Sequence, residues 1–83
     1  MFSVIILPKA EKQLLKLEKQ TIEIILKKIY SIKEEPPHYV ERLKDLPSWK
    51  LRVGDFRVIL SINTGEKKIF IEKIGHRKEI YQR

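Results

Sequence analysis

The chain has no cysteine, only three glycines and four prolines, and a single tryptophan in 83 residues. Without cysteine there is no disulfide framework, no thiolate nucleophile and no thiolate metal site. The lack also fits a cytoplasmic protein, whose thiols would stay reduced. The two histidines, His38 and His76, do not stand at helical spacing, so no His-pair metal motif is present. No run approaches the ~18 apolar residues of a membrane span. The opening Met-Phe-Ser-Val-Ile-Ile-Leu-Pro is too short an apolar stretch for a signal peptide and has no basic leader. Glycine-rich phosphate loops and the Gly-x-Ser-x-Gly elbow are missing as well. The chain is 42% hydrophobic and 35% charged, which reads as a folded domain, not a disordered segment. The length suits one domain over residues 1–83.

What is abundant is positive charge, and it is unevenly spread. The formal net charge is +7. Residues 1–47 carry nine Lys/Arg against seven Asp/Glu, a net of +2; residues 48–83 carry nine against four, a net of +5. A basic second part calls for an acidic partner, nucleic acid or protein, unless it is only a solvated Lys-rich surface.

Periodicity supplies the elements. Phe2 to Leu7 reads as a buried strand, and Pro8 suits the first turn of a helix. Ala10, Leu14 and Leu17 make an apolar stripe that Leu15 widens. Thr21 is the expected cap of a second helix, along which Ile22, Ile25, Leu26, Ile29 and Ile32 share a face until Pro36-Pro37. A loop over 36–47 is expected to tuck Leu43 and Leu46 onto the core. Three strands follow, at about 48–53, 56–62 and 67–74, with Gly75 stopping the last. The expected fold is α+β, with order β-α-α-β-β-β: a two-helix hairpin on a mainly antiparallel four-stranded sheet.

The strongest signal lies in Trp49-Lys-Leu-Arg-Val-Gly-Asp-Phe-Arg-Val-Ile-Leu60. Two alternating runs flank Gly54-Asp55, the mark of a two-residue hairpin. If Val53 and Phe56 close it, Arg52 lies across from Arg57, with Lys50 on the same face. Like charges directly opposed destabilise a strand pair, so such a face points to an anion, phosphate above all. With Asn63 opposite Glu66 in the next turn, Arg57 would face Glu72, a pairing that is structural if the anion site is not real. His76 and Arg77 follow Gly75 at the same end of the sheet. His76 is either a base or a turn residue bonded to backbone. Tyr81 is either a proton donor and stacking surface or an aromatic closing the core.

These residues together resemble a known family. Pro8-Lys9-Ala10 opening a basic helix, Leu51-Arg-Val-Gly-Asp-Phe-Arg-Val58, and Ile74-Gly-His-Arg77 followed by Tyr81 look like the RelE/ParE toxin superfamily, over nearly the whole chain. The resemblance implies the toxin of a toxin–antitoxin pair. RelE-like members cut mRNA in the ribosomal A site, whereas ParE-like members inhibit DNA gyrase. Matching the RelE motifs onto this chain gives Lys50, Arg52, Arg57, Arg77 and Tyr81 as catalytic, with His76 where RelE has a lysine. The RelE pattern Lys-x-Lys is Lys50-Leu51-Arg52 here, and an arginine binds phosphate but does not serve as a base. The expected activity is a metal-independent, cofactor-free endoribonuclease using the 2′-OH as nucleophile. The expected partners are mRNA on the ribosome and an acidic, helical RelB-like antitoxin in a hetero-oligomer, with no membrane. A sheet edge, the first or the last strand, offers the antitoxin a place to add a strand. A non-catalytic protein-binding module is the third class.

Overall fold

In the computed structural model, residues 1–44 and 46–80 are described. Tyr81 lies outside them. The elements are β1 (Ser3–Ile6), α1 (Pro8–Leu15), α2 (Lys19–Ser31), a single 3-10 turn (Pro36–His38), β2 (Glu41–Arg42), β3 (Trp49–Val53), β4 (Phe56–Asn63) and β5 (Lys68–His76). The sheet has five strands in the order β1-β5-β4-β3-β2. β1 runs parallel to β5 and the other pairs are antiparallel. This is the α+β arrangement expected, with one strand more. β2 escaped notice because two polar residues carry no alternation to read.

The helices cover one face of the sheet. Pro8 opens α1, where its missing N–H costs nothing, and Ala10 and Leu14 bury against the sheet. Leu15, expected to widen that stripe, is 68% exposed. α2 starts two residues before Thr21, at Lys19, without a side-chain cap. The chain turns tightly through Leu17, whose N–H donates to the Leu14 carbonyl, and both Leu17 and Ile22 pack on the core. Burial of that kind outweighs a cap worth ~1 kcal/mol. α2 stops at Ser31, ahead of the prolines, yet Ile25, Ile29 and Ile32 are fully buried as their spacing required. Leu46, by contrast, is exposed rather than tucked in.

The register of β4 and β5 departs from expectation twice. Asn63 pairs with Lys68, not Glu66, so the turn holds four residues, with Lys67 in the left-handed region at φ 54°. Asn63 still meets Glu66, but through its side chain: Oδ1 accepts from the Glu66 backbone N–H at 3.0 Å and Nδ2 donates to Glu66 Oε1 at 3.2 Å. That slip of two keeps every residue on its face. The second departure does not. A bulge between Ile59 and Leu60 leaves Ile59 opposite Lys73 and Leu60 opposite Ile71, so Glu72 is the extra residue. Beyond it the faces switch. Ile74, which strict alternation along β5 would put on the outer face, is only 2% exposed and belongs to the core with Leu51, Val58, Leu60, Ile69 and Ile71. Arg57 consequently faces Gly75 and not Glu72. Gly75 does not end β5, which continues through His76.

β5 is an interior strand, so the sheet's edges are β1 and β2, and of the two edges expected to accept a strand only β1 is one. Past Ile6 the flank of β5 is covered by α1, where Gln13 Oε1 accepts from the Ile74 N–H at 2.8 Å.

Candidate functional site

The face of the sheet away from the helices carries the charges. The β3–β4 hairpin closes as its sequence demanded: Val53 pairs with Phe56 across Gly54, at φ 59°, and Asp55. Arg52 is directly opposite Arg57, and Lys50 is opposite Ile59. The bulge adds Lys73 across from Ile59 on the other side, a residue the sequence reading passed over. One row therefore reads Glu41, Lys50, Ile59, Lys73, and the next reads Arg52, Arg57, Gly75.

The two opposed arginines avoid each other by leaning apart. Arg57 is half-buried and bends back over its own hairpin, where Nη1 donates to the carbonyls of Gly54 and Phe56, each at 2.8 Å. Arg52 leans toward the edge strand, with Nε 3.6 Å from Glu41 Oε1. The other oxygen of that carboxylate, Oε2, lies 3.4 Å from Lys50 Nζ. Lys50 and Arg52 thus share Glu41. Glu72 is engaged elsewhere, accepting from Ser48 Oγ at 3.0 Å.

His76 and Arg77 part company. The His76 ring meets Phe56 edge to face, with centroids 5.7 Å apart, which puts it on the helix side of the sheet. Sequence order had set it among the cations; the bulge reverses its face. Its Nδ1 accepts from the Lys78 N–H at 3.1 Å, and its carbonyl accepts from the Glu79 and Ile80 N–H groups. In the neutral ring the proton then sits on Nε2, so the acceptor nitrogen is taken up by the turn. His76 here organises the C-terminal turn, the alternative held open for it above.

Arg77 ties that turn to the hairpin. Its N–H donates to the Asp55 carbonyl at 2.8 Å, and Nε lies 3.9 Å from Asp55 Oδ1. Ile80 is buried against Gly75, where a Cβ would come 3.2 Å from Ile80 Cδ1. Gly75 is the cross-strand neighbour of Arg57, so Ile80 packs beside the arginine row. Five of the six expected residues are thus described: Lys50, Arg52 and Arg57 on one face, Arg77 at its end, and His76 behind it.

Two clefts flank this face. One, of about 440 Å³, lies between α1 and the C-terminal turn and includes Leu17, Phe56, His76 and Ile80. The other, of about 420 Å³, lies between α2 and the hairpin, with Ile24, Lys27, Lys28 and Arg52 around it. No three His, Asp or Glu side chains gather in a metal-binding group among the described residues.

Two helices on a mixed five-stranded sheet form a fold shared with known RelE structures. The family model for the ParE toxin of type II toxin–antitoxin systems, parDE, matches residues 4–81, and the chain belongs to this family, within the RelE/ParE superfamily. The same fold occurs in a chain of the RelBE toxin–antitoxin complex from Mycobacterium tuberculosis, at 19% identity and TM-score 0.83, covering 92% of this chain and 98% of that one. The archaeal RelE–RelB complex from Pyrococcus horikoshii is similar at 28% identity and TM-score 0.80, covering 94% and 97%. The intact Escherichia coli RelBE complex is similar at 21% identity and TM-score 0.77, covering 92% and 96%. No curated protein matches the sequence. No helix among the described residues is long and apolar enough to cross a membrane.

Proposed function

We propose that the chain is a RelE-like toxin that cuts mRNA in the ribosomal A site without a metal. The observation that carries this reading is the outer face itself: four cations, Lys50, Arg52, Arg57 and Lys73, are gathered by the register onto three adjacent strands, with Arg77 at their end. In the reaction the 2′-oxygen attacks the adjacent phosphorus and loses its proton. The bond from phosphorus to the 5′-oxygen breaks, and that oxygen takes up a proton. Arg52 and Arg57 would hold the phosphate through charge-assisted bonds, aimed at the charge that develops on it. Lys50 would stand beside the hydroxyl, Arg77 would meet the phosphate from the hairpin end, and Tyr81 would protonate the leaving oxygen or stack on the base. His76 has its acceptor nitrogen bound within the turn, which leaves it a positioning role. A substrate already aligned by the ribosome would supply much of the rate through orientation.

The toxin's partner would be an antitoxin with acidic segments, in keeping with the RelB-bound complexes of the similar proteins. The cleft between α2 and the hairpin suits such a segment, since Lys27, Lys28 and Arg52 surround the exposed Ile24. A cytoplasmic location follows from the ribosome as target.

The family match favours a second reading, a ParE-like toxin that inhibits DNA gyrase and does not cut RNA. Translating ribosomes separate the two. Wild type should cut the bound mRNA, and Arg52→Ala and Arg77→Ala should slow cutting roughly tenfold or more. Equal cutting by all three would remove the assigned site. Intact mRNA together with stalled gyrase would establish the second reading.

A further inference from the structure

Glu41 was not among the residues the sequence brought forward, yet its carboxylate reaches two cations of the outer face. It stands on β2, a strand of two residues at the sheet's edge, directly opposite Lys50. Each of its oxygens engages a different cation, Lys50 Nζ at 3.4 Å and Arg52 Nε at 3.6 Å. A carboxylate, like a phosphate, offers two anionic oxygens that can bridge two cations. The pair is not a lock. Glu41 is 59% exposed, and exposed ion pairs are weak and open readily. Among the described residues, Glu72 is held by Ser48 and Asp55 lies against Arg77 at the hairpin end, so neither reaches Lys50 and Arg52 as Glu41 does.

We propose that Glu41 is a built-in counter-anion of the site. It occupies Lys50 and Arg52 in the resting protein, must yield when an RNA phosphate arrives, and so sets the threshold for binding polyanions. The inference rests on the reading of the outer face as an RNA-binding surface. On that reading the face, as folded, presents about one cation fewer than its residue count implies. Weak or stray polyanions are turned away, while RNA delivered with its phosphates in place displaces the carboxylate.

The test is equilibrium binding of a labelled single-stranded RNA oligonucleotide by wild type, Glu41→Gln and Glu41→Asp over a range of salt. Freeing one cation should steepen the dependence of log K on log salt by about 0.7 for a single strand. That corresponds to roughly fivefold tighter binding by Glu41→Gln at about 0.1 M salt, with the difference vanishing toward 1 M. Glu41→Asp keeps the charge and should follow wild type. Thermal melting of the variants should coincide with wild type, since β2 is exposed and contributes nothing to the core. An unchanged slope and affinity in Glu41→Gln would overturn the proposal, as would failure of every form to bind RNA at low salt. If the slope steepens as expected but wild type leaves ribosome-bound mRNA intact, the nuclease reading fails and the counter-anion stands.

Discussion

Truncating Arg57 should destabilise the fold, whereas truncating Arg52, its cross-strand partner, should not. Arg57 is half-buried, and its Nη1 holds two carbonyls of its own hairpin at 2.8 Å. Hydrogen bonds from a charged donor contribute about 1.5–3 kcal/mol when buried; with one of these two exposed to solvent, a combined loss of about 1–2 kcal/mol is the fair expectation. Removing the positive charge also relieves its opposition to Arg52, which returns about 0.2–1 kcal/mol. The net cost of Arg57→Ala is then about 1 kcal/mol, or a fall in Tm of roughly 4–8 °C for a domain of this size. Arg52→Ala loses an exposed pair with Glu41, about 0.2–1 kcal/mol, and gains the same relief, so its Tm should stay close to wild type. Thermal unfolding followed by circular dichroism, with the double variant completing a cycle, measures both. If Arg52→Ala proved the more damaging of the two, the division of labour argued from the geometry would be wrong. The comparison matters for function too. A loss of mRNA cutting in Arg52→Ala reports on the face itself, whereas in Arg57→Ala it is mixed with loosening of the hairpin.

Two further substitutions probe the bulge. Ile74→Ala should cost about 2–4 kcal/mol, the range for emptying a buried isoleucine site, because the bulge turns Ile74 into the core; near-neutral chemical denaturation would contradict that placement. Gln13→Ala should cost about 1 kcal/mol by orphaning the Ile74 N–H, and amide hydrogen exchange at Ile74 should speed up; unchanged protection would show that another group satisfies it.

Much of the fold could be read from the chain because the local signals agreed with one another. Gly54-Asp55 between two alternating runs determined the hairpin, and with it the opposition of Arg52 and Arg57. The isoleucine stripe of α2 gave its buried face. What escaped were features whose signals are short or easily taken for something else. Ile69, Ile71 and Ile74 are spaced two and then three apart. Strict alternation cannot continue across that step, so the sequence did hold a trace of the bulge. It was missed because Gly75 offered an easier explanation for the end of the strand. The error travelled outward: together with the two-residue slip at the turn it gave Arg57 a partner in Glu72, and it set His76 among the cations. Glu41 was invisible for a different reason. A two-residue strand has no period, and an ion pair with residues nine and eleven positions away exists only once the chain has turned back through Leu43 and Ser48.

The position of Glu41 has a consequence for how such a protein can change. The cations that define its outer face sit on strands whose alternate residues form the core, and one of them, Arg57, also holds its own hairpin together. The carboxylate beside them sits on the shortest strand of the sheet, exposed and apart from the core. On the role proposed for Glu41, a single substitution at this rim would change how the face binds polyanions while folding stability stays the same. Selection would have a dial for toxicity that is mechanically separate from the machine it controls.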